Sequence, residues 1–299
     1  MVARQPAEHS KTKDGRHDHT YPSNNADAVR RNPRHPLCLS SFWKGGERAA
    51  RLQHAFHRHD GPLGPEGDGR NCEGSRSHPV NNAGISSTSG EVPTTIEGMA
   101  RNATTFIKAL GLSRVDVLGF SLGGLVAQEL ALSEPGLVRR LILVGTGPRS
   151  GEGMASLTPE AQEIFGAAYD QPDHLWLRVF FTPSVASQAA GRAFLKHFGL
   201  RTDQRDPEVS DKVAPAQIAA LGKWGAPHEN PFGYLKAIRQ PTLVVNGDND
   251  VIIYTVNSSI LQRHLPNAQL IIYPDASHGS QYQYPERFVG HASLFLSER

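Results

Sequence analysis

Residues 81–299 of this 299-residue chain predict an α/β fold, a mostly parallel sheet with helices on both faces and a helical cap set into it. Three observations carry that prediction. From Asn81 onward, short apolar runs rich in β-branched residues alternate with stretches of helical period. The apolar runs are nearly continuous rather than alternating, as in strands buried on both faces. Residues 150–236 then interrupt the alternation with helical patterns alone, which reads as an insertion between two strands, lying over the C-terminal edge of the sheet.

In chain order, residues 95–110 have apolar positions at helical spacing, with Gly111 as the cap that ends them. VDVLGF (115–120) is a short buried strand, and residues 122–135 form a helix that stops before Pro135. LVRRLILVGTG (137–147) is a second strand. The insertion carries PEAQEIFGAAY, SQAAGRAFLKHF and PAQIAALGKW as helical patterns. PTLVVNGD (241–248) and AQLIIYPDAS (268–277) are further strands, with a helix over 255–264 between them and a last helix over 284–297. The division that follows is a first core part over 81–149, a cap over 150–236 and a second core part over 237–299.

Residues 1–80 have neither period. They hold both cysteines, Cys38 and Cys72, a net positive charge, and Gly- and Pro-loaded stretches such as HRHDGPLGPEGDGRNCEGSRSHP. Composition of this kind predicts disorder, and no strands are assigned there. The HDH and HRH runs (His17, His19, His57, His59) lack a carboxylate or cysteine pattern that would complete a metal site, so no metal and no cofactor is expected.

Ser121 stands in GFSLGG, between a strand and a helix, and matches G-x-S-x-G. A serine hydroxyl attacks a carbonyl only when a base takes its proton and a third group orients that base. The tight turn leaves no room for side chains beside the serine, hence the glycines. At a helix start, backbone N–H groups and the dipole favour developing negative charge, with the Leu122 N–H as one oxyanion donor. The acid is sought past a later strand, where Asp248 and Asp250 both stand; Asp250, further out in the loop, is better placed to reach across the sheet edge. The base is sought after the last strand, where His278 follows LIIYPDAS. His264 and His291 fall within helices and read as surface residues, while His174, His197 and His228 belong to the insertion. The plainer readings are a serine in an ordinary turn, solvated turn acids and a polar loop histidine. What favours catalysis is the chain order Ser, Asp, His.

With these residues in place, the chain from Asn81 resembles the α/β-hydrolase superfamily, in the branch of esterases, enol-lactonases and cofactor-free haloperoxidases. The resemblance rests on GFSLGG, GDND after a strand, the SHG of DASHG, and NNAGISSTSG, which is similar to a loop after the family's fourth strand. Asn81 replaces that loop's usual aspartate, and Tyr254 stands where the family often has proline. The resemblance implies Ser121 as nucleophile, Asp250 as acid, His278 as base and 150–236 as the cap that shapes the pocket. It implies a serine hydrolase for a carboxylic ester, lactone or related acyl compound, with perhydrolysis as a second use of the same residues. Phe120, Trp176 and Trp224 are the substrate-contact candidates; for the cap aromatics, including Phe165, Tyr169, Phe180 and Phe181, packing is the competing role.

The family also needs about four strands before NNAG and a second oxyanion N–H after the third, and residues 1–80 supply no recognisable version of either. Back-translation offers a cause. FHRHDGPLGPEG (56–67), read one base later, can encode FTGTMDHWDPK, and residues 32–50 and 70–80 give family-like strings in that same register. The segment up to about residue 80 thus reads as translated out of frame. A chain so altered could instead be a non-catalytic product without a complete oxyanion hole.

A formal net charge of +2 over the whole chain points to no polyanionic partner. Two distant cysteines make no disulfide framework, the first thirty residues have no apolar signal region, and no stretch approaches the roughly 20 apolar residues of a membrane span. The expectation is a cytoplasmic protein with a small-molecule acyl substrate, no nucleic acid and no membrane partner. The sequons at Asn102 and Asn257 carry no weight without a signal.

Overall fold

A computed structural model describes residues 36–40, 78–80, 83–85, 88, 90–199 and 210–298. Among these, six strands form one parallel sheet: β1 (Pro36–Ser40), β2 (His78–Val80), β3 (Val115–Phe120), β4 (Val138–Val144), β5 (Thr242–Gly247) and β6 (Ala268–Tyr273). Their order across the sheet is β2-β1-β3-β4-β5-β6. From β3 onward each new strand is added on one side, whereas β1 and β2, parallel to the rest, lie on the other side of β3. That reversal is a topological switch point, and ligands of open α/β sheets bind outside the carboxyl ends of the strands there.

Two of these strands correct the sequence reading, which assigned none to residues 1–80. PLCLS and HPV are five and three residues long and each contains proline, so neither yields a period. What fixes β1 is its neighbour: its Leu39 and Ser40 lie in register with Gly119 and Phe120, on the open edge of β3. The rest of the segment, including His17, His19, His57, His59, Asn81 and most of the alternative-frame strings, lies outside the described residues.

From β3 onward the residues alternate between two apolar layers. Val115, Val117, Leu141, Leu143 and Val244 face one layer with helices α1 (Ile96–Ala109) and α2 (Leu122–Ser133). Leu118, Phe120, Ile142, Val144 and Val245 face the other, with the C-terminal helix. Burying each such side chain is worth about 1.5–3 kcal/mol, which makes this three-layer stack the main source of stability. Thr95 caps α1 by accepting the Gly98 N–H at 3.0 Å.

Among the described residues four α-helices lie between β4 and β5: α3 (Pro159–Gly166), α4 (His174–Phe180), α5 (Val185–Gly199) and α6 (Val213–Gly225). Three match the sequence patterns. The fourth, α4, has only seven residues, too few to establish a period. After β5 come α7 (Val256–His264), α8 (Ser280–Gln283) and α9 (Pro285–Ser297). The strand predicted to reach residue 147 ends at Val144, because Gly145 takes φ +51°. The one predicted to reach 277 ends at Tyr273, because Asp275 takes φ +50°.

Ion pairs tie the layers together. Arg139 on β4 donates through Nε and Nη2 to the buried Asp116 carboxylate on β3 (2.8 and 2.5 Å) and also to the Leu296 carbonyl of α9 (3.0 Å). The Arg149 guanidinium lies 4.9 Å from the Trp224 ring and 4.7 Å from Tyr234, and pairs with Glu129 of α2. Burial keeps the Tyr234 phenol neutral far above its usual range, as a donor to Gln128 Oε1 (2.8 Å).

Candidate active site

Ser121 sits between β3 and α2 at φ 55°, ψ −125°, a left-handed conformation unusual for a residue with a side chain. Such strain costs on the order of 1–3 kcal/mol and persists only where the surroundings enforce it. The enforcement is visible. The Ser121 N–H donates to the Val144 carbonyl (2.9 Å), and its carbonyl accepts from the Gly124 N–H (2.8 Å) and Thr146 Oγ1 (2.9 Å). A Cβ on Gly119 would stand 2.4 Å from the Gly123 carbonyl oxygen, and one on Gly124 would stand 2.6 Å from the Thr146 side chain. The glycines are therefore steric requirements of the turn.

Ser121 Oγ lies 3.0 Å from His278 Nε2, and His278 Nδ1 lies 2.8 Å from Asp250 Oδ2. The side chains of His278 and Asp250 are fully buried. The other carboxylate oxygen, Oδ1, accepts from the backbone N–H groups of Ile252 (2.9 Å) and Ile253 (3.0 Å). Both oxygens of the buried Asp250 carboxylate thus have partners, and its orientation is fixed. Asp248 is exposed and turns elsewhere: its Oδ1 accepts from the Asn249 side chain (2.6 Å) and the Ala276 N–H (3.2 Å). Of the two acids left open by the sequence, Asp250 is the one beside His278.

The loop carrying His278 hangs on the end of α4. The Gly279 N–H donates to the Phe180 carbonyl (3.1 Å), Ser277 Oγ to the Val179 carbonyl (3.3 Å), and Phe181 forms an antiparallel bridge with Ala276. Asp275 accepts from Thr182 Oγ1 (2.6 Å) and Ser184 Oγ (2.5 Å), and these hydroxyls, Ser184 first, hold its carboxyl below the ordinary carboxylate range. Residues 174–184 therefore help to hold His278 in place. In the sequence only the Thr and Ser that follow the helix hint at this.

The substrate-contact candidates separate. Trp176 lines a cavity of about 230 Å³ that opens on Ser121 and His278. Phe120 does not line it: its ring packs 5.1 Å from the His278 ring and 6.2 Å from Phe180, on the far side of the imidazole. Trp224 does not line it either, because it points toward Arg149 and Tyr234. The remaining wall comes from Leu122, Met154, Phe165, Gln217 and Leu221 among others. Leu122 is the first residue of α2, where a backbone N–H has no partner within the helix. Sequence reasoning missed Gln217. The available signal was its place in the buried stripe Val213, Ala216, Gln217, Ala220 and Trp224 of α6.

Among the described residues His174, His228, His264 and His291 are exposed, while the His197 side chain lies outside them. His291 meets Tyr273 Oη at 2.8 Å, and burial raises that phenol to about 12. Among the described residues no three His, Cys, Asp or Glu side chains gather as for a metal ion, and no helix is long and apolar enough to cross a membrane.

A sheet with a switch point, a strained serine after its third described strand and a buried Ser–His–Asp line define a class, and comparison with known proteins agrees. The family profile of the alpha/beta hydrolase fold matches residues 68–285, and the chain belongs to that family. It is an α/β-fold hydrolase whose relatives carry hydrolase, esterase and bromoperoxidase names. A pimeloyl-[acyl-carrier protein] methyl ester esterase of Nitrosospira multiformis is 29% identical over 186 residues, covering 60% of this chain and 67% of its own. A putative non-heme bromoperoxidase of Mycobacterium tuberculosis is 24% identical over 221 residues, 71% of this chain and 79% of its own. Among solved structures, an alpha/beta hydrolase fold protein from Chitinophaga pinensis superposes with a TM-score of 0.77 at 31% identity, over 90% of both chains.

Proposed function

We propose that this protein is a serine hydrolase that cleaves a small carboxylic ester, lactone or related acyl compound through an acyl-enzyme on Ser121. The supporting observation is the hydrogen-bonded line from Ser121 Oγ through His278 to Asp250. In this reading Oγ attacks the acyl carbonyl while Nε2 takes its proton. Asp250 holds the Nδ1–H, which fixes the tautomer and stabilises the imidazolium. The oxyanion forms against the Leu122 N–H at the start of α2. His278 returns the proton to the departing alkoxide. Water, deprotonated by the same nitrogen, then releases the acid and restores Ser121.

The cavity supports a small substrate, since about 230 Å³ is below the roughly 300–1,000 Å³ of sites for drug-sized ligands. Perhydrolysis is the second use of this chemistry, favoured by the relative named a bromoperoxidase. Hydrogen peroxide would replace water in the second step and leave as the peracid.

The test is labelling by a fluorophosphonate probe together with p-nitrophenyl ester cleavage. It is run on the chain as given and on one whose residues 32–80 are restored to the alternative frame. Labelling at Ser121 with esterase activity is expected. A folded protein that neither labels nor cleaves overturns the reading. Activity confined to the restored chain identifies the given one as the defective product.

A further inference from the structure

The cavity above Ser121 is mostly apolar, and one buried polar side chain in its wall, which the reaction does not use, stands out. Gln217 lines it from α6, is 0% exposed, and has no hydrogen-bond partner for either Oε1 or Nε2. The cavity's other polar side chains are engaged or peripheral. Ser121 and His278 bond to each other, and Ser156 is exposed, with its Oγ on the Leu157 carbonyl at 3.4 Å. A buried carboxamide with both ends unmet is costly, and native interiors rarely keep one without a use. An apolar residue at this position of the buried stripe would pack without that cost.

We propose that Gln217 is a specificity-determining contact and that the substrate's acyl chain ends in an uncharged group presenting a hydrogen-bond donor beside an acceptor. The chemical class is a carboxamide, carbamate or lactam. The inference rests on the hydrolase reading of Ser121 and names the substrate end that reading leaves open. A carboxamide has an N–H donor next to a C=O acceptor, so two such groups pair edge to edge and satisfy both atoms of Gln217. The absence of charge follows from the wall. None of the residues lining the cavity is Lys, Arg, Asp or Glu, so an ionised end group would be buried unpaired. The rest of the wall, including Leu122, Met154, Phe165 and Leu221, fits the methylenes that join this end to the scissile carbonyl.

The experiment compares p-nitrophenyl esters of ω-carbamoyl acids, with two to five methylenes between the carbonyls, against isosteres in which isopropyl replaces the carboxamide. For the spacer that fits, kcat/KM of the carboxamide ester exceeds that of its isostere by tenfold or more. Sites built around a hydrogen bond reject analogues that lack it. Gln217→Met keeps shape and burial. It brings the kcat/KM values of the two esters to within about threefold of each other, whereas replacing a merely structural Gln217 would lower both alike and keep their ratio. A missing preference at every spacer, or one unchanged by Gln217→Met, overturns the proposal. Calorimetric titration of Ser121→Ala with the matching ethyl esters reads the same preference without chemistry. Failure of the hydrolase reading therefore remains distinguishable from failure of this one: the former removes cleavage, the latter removes the difference in binding.

Discussion

The backbone N–H of Gly279 donates to the carbonyl of Phe180 at 3.1 Å, so the residue after His278 is bonded to the last residue of helix α4. A Cβ on Gly279 would stand 2.4 Å from the Phe180 Cβ. The imidazole's position is therefore set from helix α4 as well as from the sheet.

That contact makes Gly279→Ala a test of the mounting. The added methyl must push α4 away or displace His278. The expected cost is about 1–3 kcal/mol of stability, as for overpacking elsewhere, together with a loss of kcat of at least tenfold. Denaturant titration and ester kinetics on one preparation check both.

Ser121 pays for its left-handed backbone. Ser121→Gly removes the nucleophile and relieves the strain, so it should abolish turnover while raising stability by about 1 kcal/mol. Ser121→Ala abolishes turnover equally but keeps a Cβ and gains nothing from the backbone. Thermal unfolding of the three proteins separates the effects.

The two aspartates of GDND answer differently. Asp250→Asn keeps the packing but favours the wrong imidazole tautomer, and kcat falls by on the order of 10⁴-fold. Asp248→Asn keeps an Oδ1 that can accept from Asn249 and the Ala276 N–H, and changes kcat by less than about threefold. Steady-state kinetics at saturating ester decides it, and a larger loss at Asp248 would reverse the assignment.

Asp275 predicts an acid limb of stability. Its folded-state pKa is depressed by the Ser184 and Thr182 hydroxyls. Its contribution is complete above the unfolded value, near pH 4, and is lost as pH falls through the lower folded value. Asp275→Asn should lower stability at neutral pH and flatten its dependence on pH below about 4, as followed by urea unfolding across that range.

Legibility in the sequence follows the physics of each element. β3 to β6 are β-branched runs with glycine or proline near their ends, and their positions are readable to within a few residues. β1 and β2 are not, because a parallel strand of three to five residues is defined by the backbone edge it joins rather than by its own side chains. Ser121, Asp250 and His278 are legible because chemistry restricts residue type and the fold restricts chain order. Asp250 is preferred to Asp248 already from its place further out in the loop, whereas the Ile252 and Ile253 N–H groups that hold its carboxylate come together only in the folded loop. Trp224 was misplaced because an aromatic on a cap helix says nothing about which side it faces, and Arg149 holds it away from the cavity. Gln217 is not legible, because a glutamine in a helical pattern carries no mark of burial; only the packing of its stripe shows it.

Arg149, held between Trp224 and Tyr234 and paired with Glu129, fastens the end of α6 to the core as Gly279 fastens the end of α4. With both anchors in place, helices α3 to α6 and the sheet are expected to unfold in one cooperative transition. Heating then gives a single calorimetric peak, and a ligand held only by the cavity wall raises the melting point of the whole molecule. At a hundred times its dissociation constant, that linkage amounts to about 2.7 kcal/mol.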